Sequence, residues 1–255
     1  MIFIFLRLFP FLLPLIQLLI LVALSYAVNY WLWLLLTLLA ANTFYFLLLY
    51  LRLRKKKVFI IWWHSLVMIV AGFVFILFVS DRLSVLLLAI IYGLIYFFYL
   101  ESVFHYFYQT GKATLLSLEN VINYVNLLTV FLGVTALINF YIFINFYWLW
   151  LLVIAFAAFL ILFYSRFLFI ELNSKEHLIL SLICALLLLE FLGGIIFLPT
   201  SLYSLAAAVA LGYYFISLVL LAQFNGELTR RTLIRYSVFT IVALSVVFFT
   251  ALITY

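Results

Sequence analysis

Charge is nearly missing from this sequence: 13 basic and seven acidic residues are spread over 255 positions and make up 8% of the chain. Soluble domains carry about 25% charged and about 45–50% apolar residues, whereas 72% of this chain is hydrophobic. That excludes a water-soluble domain of any useful size. A single cysteine, Cys184, excludes an internal disulfide and any cysteine-based metal cluster, and reads as a small packing residue. There is no Gly-x-Ser-x-Gly elbow, Walker-type phosphate loop, His-Glu-x-x-His, paired-Cys motif or Gly-x-Gly-x-x-Gly, so the chemistries those motifs support have no foothold. Energy from ATP would have to come from another chain. No lysine falls inside an apolar run, which disfavours a retinal-type chromophore. No cofactor and no metal centre is expected.

What the chain has instead is long apolar runs. A helix needs about 20 mostly apolar residues to cross the hydrocarbon core, and about nine such stretches fit: Phe9–Ala27, Tyr30–Leu51, Val58–Ser80, Leu83–Tyr106, Glu119–Phe140, Tyr147–Ile170, Leu178–Leu198, Leu202–Ala222 and Leu233–Thr254. Barrel strands would alternate apolar with polar, and these runs are apolar on every face. The expected fold is all-α, a polytopic membrane bundle of about nine transmembrane helices forming one integral membrane domain over 1–255. The first run has a lone Arg7 and two prolines, Pro10 and Pro14, but no small-x-small cleavage pattern before Asn29. It reads as a retained span whose prolines lie near its start, where missing donors cost least.

Positive charge sets the expected orientation, because Lys and Arg accumulate on cytoplasmic loops. With the amino terminus inside, 12 of the 13 basic residues fall on the cytoplasmic side, and Arg82 beside Asp81 is the exception. The carboxyl terminus is then outside. The formal charge of +6 is thus a topology signal. The Arg52–Lys57 run caps a span and can meet anionic lipid, while nucleic acid is not an expected partner. The bilayer is the expected surrounding, with other membrane subunits or further copies of the chain as candidate partners.

Tyr30-Trp31-Leu32-Trp33-Leu34-Leu35 recurs 117 positions later as Tyr147-Trp148-Leu149-Trp150-Leu151-Leu152, and Ala40-Ala41 matches Ala157-Ala158, giving eight identities in 12 positions. Weaker echoes pair Gly93 with Gly212, Gly111 with Gly226, and Thr135-Ala136-Leu137-Ile138 with Thr250-Ala251-Leu252-Ile253. This predicts a parallel duplication of a four-helix unit, 1–115 and 116–230, with a final helix over 231–255. Aromatic belts at membrane interfaces supply a competing origin for the Trp pairs.

Ionisable groups at depth are the first functional candidates, since burying them in hydrocarbon is costly. Glu190 lies about twelve residues into the seventh run and near its middle, followed by Gly193 and Gly194. It is expected to be buried, either as a proton carrier or cation ligand or as a neutral acid bonded to a neighbour, with Asn42 and Thr129 as candidate partners. A second set lies where the fourth and fifth runs meet: Glu101 and His105 four apart, then Glu119, Asn123 and Asn126 across the Gln109-Thr110-Gly111-Lys112 turn. Such a set can bind a metal, act on a lipid headgroup, or form a polar seam between helices. His64, after Trp62-Trp63, reads as an interfacial residue. Asp81, Asn173 with Glu176, and Pro199-Thr200-Ser201 read as helix-start signals.

Two classes of function remain open. One is a small transporter or channel-like protein using Glu190; the other is a non-catalytic membrane subunit or scaffold. An enzyme is less expected, and would be a lipid-modifying one using Glu101, His105 and Glu119.

Overall fold

In the computed structural model, apolar periodicity becomes helix wherever the sequence allows it. Residues 2–108, 112–170 and 173–253 are described, with side chains left aside at 2–5, 112–117, 174 and 251–253. The elements are α1 (Ile2–Leu24), α2 (Trp31–Leu53), α3 (Lys56–Leu77), α4 (Arg82–Tyr108), α5 (Lys112–Ile144), α6 (Trp148–Arg166), α7 (Ser174–Ile195), α8 (Leu202–Phe224) and α9 (Arg230–Ile253), with short 3-10 turns at Val28–Tyr30 and Phe167–Phe169. Among the described residues there is no strand, and nine helices are long and apolar enough to cross a membrane. The Gln109-Thr110-Gly111 part of the turn after α4 lies outside the described residues, as do the side chains of Ala251, Leu252 and Ile253 in the last repeat echo.

The helix ends follow local chemistry. Asp81 opens α4, its carboxylate accepting from the Ser84 N–H at 2.8 Å and the Ser84 hydroxyl at 2.7 Å. Those two bonds, the hydroxyl's first, hold the Asp81 carboxyl below the usual carboxylate range. Asn173 and Glu176 form the expected capping box at the start of α7, and the Ser201 hydroxyl accepts from the Ser204 N–H at 3.2 Å to open α8. Arg54 closes α2 in a left-handed conformation at φ 51°, and Asn145 does the same after α5 at φ 56°. The left-handed region is tolerable for asparagine and strained for arginine, and Arg54 adopts it in an exposed basic turn between α2 and α3.

The chain divides into two compact units, 1–126 and 127–255. In the first, α1 packs on α4 and α2, and α2 on α3. The face of α1 turned inward carries Leu6, Leu13, Gln17, Leu21 and Leu24 at helical spacing, all buried. Pro10 and Pro14 are not near the helix start as expected: α1 begins at Ile2 and runs through both. Each proline removes one backbone donor, and the surrounding helices hold the segment straight enough to continue. Gly93 on α4 faces this stretch, where an added Cβ would lie 3.7 Å from the Pro14 carbonyl oxygen. In the second unit α6 packs on α7, α7 on α8, and α8 on α9. Phe163 of α6 meets Tyr213 of α8 with ring centroids 4.7 Å apart. Cys184 is buried as a packing residue. In α9 only 6% of the apolar window is covered.

Candidate functional site

The inward face of α4 carries a ladder of phenols. Tyr92, Tyr96 and Tyr99 recur at four and three residues, so they share one face and span about 10 Å along the axis. All three are buried, and each hydroxyl finds a partner on the helices opposite. Tyr92 donates to the Met68 carbonyl. Gly72 makes that possible, because a Cβ there would overlap the Tyr92 ring. Tyr96 donates to Asn42 Oδ1 at 2.6 Å, an atom that also accepts from the Ser65 hydroxyl at 2.9 Å. Tyr99 lies 3.1 Å from the Ile61 carbonyl oxygen and 2.8 Å from His64 Nδ1.

His64 is the centre of the arrangement. Its other nitrogen, Nε2, is 2.5 Å from Asn126 Oδ1 on α5. Asn42, His64, Ser65, Tyr96, Tyr99 and Asn126 are all fully buried, and each lies within a few residues of the middle of its helix. Four apolar helices therefore bring six hydrogen-bonding side chains together at mid-height. Buried polar groups are stable only when bonded, and here the imidazole has partners on both nitrogens. The reading of His64 as an interfacial residue is corrected by this burial. α3 starts at Lys56, so His64 sits eight residues, about 12 Å, inside the helix.

The polar groups continue above and below this centre. Gln17 of α1 is fully buried. Tyr45, one turn from Asn42, is also fully buried, its ring centroid 5.4 Å from that of Phe9. Beyond Tyr99, Glu101 Oε1 and His105 Nε2 lie 2.9 Å apart, as their spacing predicted. At this end the Arg52 guanidinium lies 5.8 Å from the Tyr108 ring centroid, and the Lys57 ammonium donates to the Tyr106 hydroxyl at 3.3 Å. The first unit thus holds two sets of polar side chains, one near the basic α2–α3 turn and one at the helix centres.

The remaining sequence candidates are dispersed. Glu119 and Asn123 are half-buried on α5 and Asn126 is buried. Among the described residues no three His, Cys, Asp or Glu side chains are grouped to hold a metal ion. Thr129 is buried, and Asn42 is engaged by Ser65 and Tyr96. Glu190, expected to be buried, is exposed on α7. It lines an open groove of about 240 Å³ with Trp148, Leu152, Leu189, Gly193 and Phe197. Among the described residues nothing approaches within 4 Å of where a Cβ would stand on Gly193 or Gly194. The reason is periodicity: α7 buries Ser181, Cys184, Ala185, Leu188 and Leu192, and Glu190 falls between those positions on the opposite side.

What sequence reading missed was the ladder itself. The Tyr-x-x-x-Tyr-x-x-Tyr spacing of Tyr92, Tyr96 and Tyr99 was visible, but in a chain with 18 tyrosines it is hard to tell from an aromatic belt. No protein-family model, no curated protein and no solved structure matches this chain.

Proposed function

We propose that the chain is a small transporter or channel-like protein of the cytoplasmic or plasma membrane, and that the species moved through it, or coupled to its transport, is the proton. The observation that carries this reading is the buried polar set of the first unit: an imidazole with both nitrogens bonded, flanked by phenols, amides and a hydroxyl at the middle of four apolar helices. Such groups cost free energy in an apolar interior, and a scaffold built for rigidity alone could use leucine in their place. They are fully packed, which suits protonation and deprotonation of a fixed imidazole better than passage of a hydrated solute. The amino terminus is cytoplasmic by the distribution of positive charge, and the parallel repeat is a common transporter plan.

The test is proton flux in liposomes containing a trapped pH dye, with an imposed gradient and a potassium clamp. The purified chain is expected to dissipate the gradient faster than protein-free vesicles, and His64→Phe to return the rate toward that baseline. A wild-type chain no faster than empty vesicles would sink the proposal.

A second reading, a non-catalytic membrane subunit, is favoured by the exposed Glu190 carboxyl beside two glycines on an apolar face. A carboxyl turned to lipid is costly, and a helix of another chain would cover it.

A further inference from the structure

Three atoms around His64 constrain where its protons can be. Asn126 Oδ1, at 2.5 Å from Nε2, is a pure acceptor. A bare Nε2 would set two lone pairs against each other at that distance, so Nε2 carries a hydrogen. Nδ1 faces the Tyr99 hydroxyl at 2.8 Å, and that hydroxyl has a second acceptor in the Ile61 carbonyl at 3.1 Å. The carbonyl receives its helical partner on one lone pair and keeps the other for Tyr99.

We propose that His64 takes up and releases its proton at Nδ1 alone, through the Tyr99 hydroxyl, with Asn126 as the positioning residue that keeps Nε2 protonated. In the neutral state Nε2–H donates to Asn126 and the Tyr99 O–H donates to Nδ1. In the cationic state Nε2–H is unchanged, Nδ1–H donates to the Tyr99 oxygen, and the Tyr99 O–H turns to the Ile61 carbonyl. Uptake moves the Tyr99 hydroxyl proton to Nδ1 while a proton from hydronium replaces it on the oxygen. Two O–H bonds break, one on Tyr99 and one in the hydronium ion, which leaves as water; one N–H and one O–H form, Tyr99 ends neutral, and the imidazole gains the positive charge. Release is the reverse. In both states every hydrogen in the set has an acceptor, so the change needs rotation of one hydroxyl and no movement of a helix. Asn126 cannot pass a proton on, because its amide is not an acid in this range.

The other titratable groups of this interior are Tyr92 and Tyr96 on α4, the Tyr96 ring stacked 6.4 Å from that of Tyr99, Tyr45 on α2, and Glu101 with His105 further along α4. On α5 the titratable groups flanking Asn126 are Tyr124, which is exposed, and Glu119, two turns before it; α1 contributes the uncharged Gln17. Tyr99 is the group among these that touches the imidazole.

The use made of this exchange rests on the proton-path reading, but its test needs no gradient. The full chain, labelled with 15N-histidine in nanodiscs, contains three imidazoles, and the His64 signals are those lost in His64→Gln. The expected spectrum has a protonated Nε2 and a bare, hydrogen-bonded Nδ1. Asn126→Leu should split His64 between both tautomers, and Tyr99→Phe should move the Nδ1 resonance toward that of an imine nitrogen without a donor. An Nδ1–H tautomer in the wild type would mean that the Asn126 amide is turned the other way and would overturn the proposal. So would an unmoved Nδ1 in Tyr99→Phe, which also serves if Asn126→Leu does not fold. An Nε2–H tautomer in a protein without proton flux would support this assignment and remove the proposed function.

Discussion

At the scale of single residues the interior of the first unit is unequal in what it can lose. Tyr96→Phe removes one donor from Asn42 Oδ1, which keeps the Ser65 hydroxyl, so the expected cost is about 1 kcal/mol. Glycine substitutions separate by sign. Gly72→Ala drives a methyl into the Tyr92 ring, and is expected to cost about 1–3 kcal/mol by overpacking. Gly193→Ala meets nothing within 4 Å and gains helix propensity of about 0.5–1 kcal/mol. Thermal unfolding in one detergent orders the three; a Gly72→Ala protein as stable as wild type would contradict the packing described between α3 and α4. The sequence identified the polar residue types without their assignments. Asn42 was expected opposite Glu190 and instead serves Ser65 and Tyr96. His64 was obscured by Trp62 and Trp63, which suggest an interface, although the Trp62 indole N–H turns back to donate to Thr43 at 3.3 Å.

Helices are the scale at which the sequence was most legible, because an apolar run of sufficient length has one structural outcome in lipid. The errors are at the ends and have causes. α3 takes in Lys56 and Lys57, since long basic side chains extend from a helix end into water while their backbone stays helical. α5 runs from Lys112 to Ile144, well past the expected Glu119–Phe140, because nothing in those flanking residues breaks a helix. Caps were read correctly where a short polar side chain precedes the run, and Asp81 gives this a pH test. Its carboxyl is held below the usual value of 3.8 by the two Ser84 bonds. Its contribution to α4 is therefore complete above about that pH and is lost as pH falls through the lower folded value. Asp81→Ala should lower the melting temperature slightly at pH 7, with the difference from wild type closing below pH 3.8. A difference that did not change with pH would show that the hydrogen bonds of the charged carboxylate are not its source.

Across the whole molecule the two Trp-Leu-Trp segments each open a helix: Trp31-Leu32-Trp33 begins α2 and Trp148-Leu149-Trp150 begins α6. Carrying the same offset of 117 along the chain sets Asn42 against Phe159 and His64 against Ser181, and all four are buried. At these two positions the register sets an amide against a phenyl ring and an imidazole against a hydroxyl, while the second unit buries polar residues of its own elsewhere, among them Asn139, Arg166 and His177. A duplication read from the Trp segments could not reveal these differences, because interior polarity is set residue by residue. The two proposed roles fall in different units, and a single change to each should uncouple them. If proton flux runs through the first unit, as proposed, Glu190→Gln should leave it intact. The subunit reading instead concerns the α7 face, where Gly193→Leu fills the groove beside Glu190. If a partner helix covers that face, Gly193→Leu should cost about 1–3 kcal/mol of association, seen as loss of the higher-mass species in native mass spectrometry from mild detergent. A wild-type chain that is monomeric under those conditions, or a complex indifferent to Gly193→Leu, would remove the subunit reading and leave Glu190 as a carboxyl facing lipid.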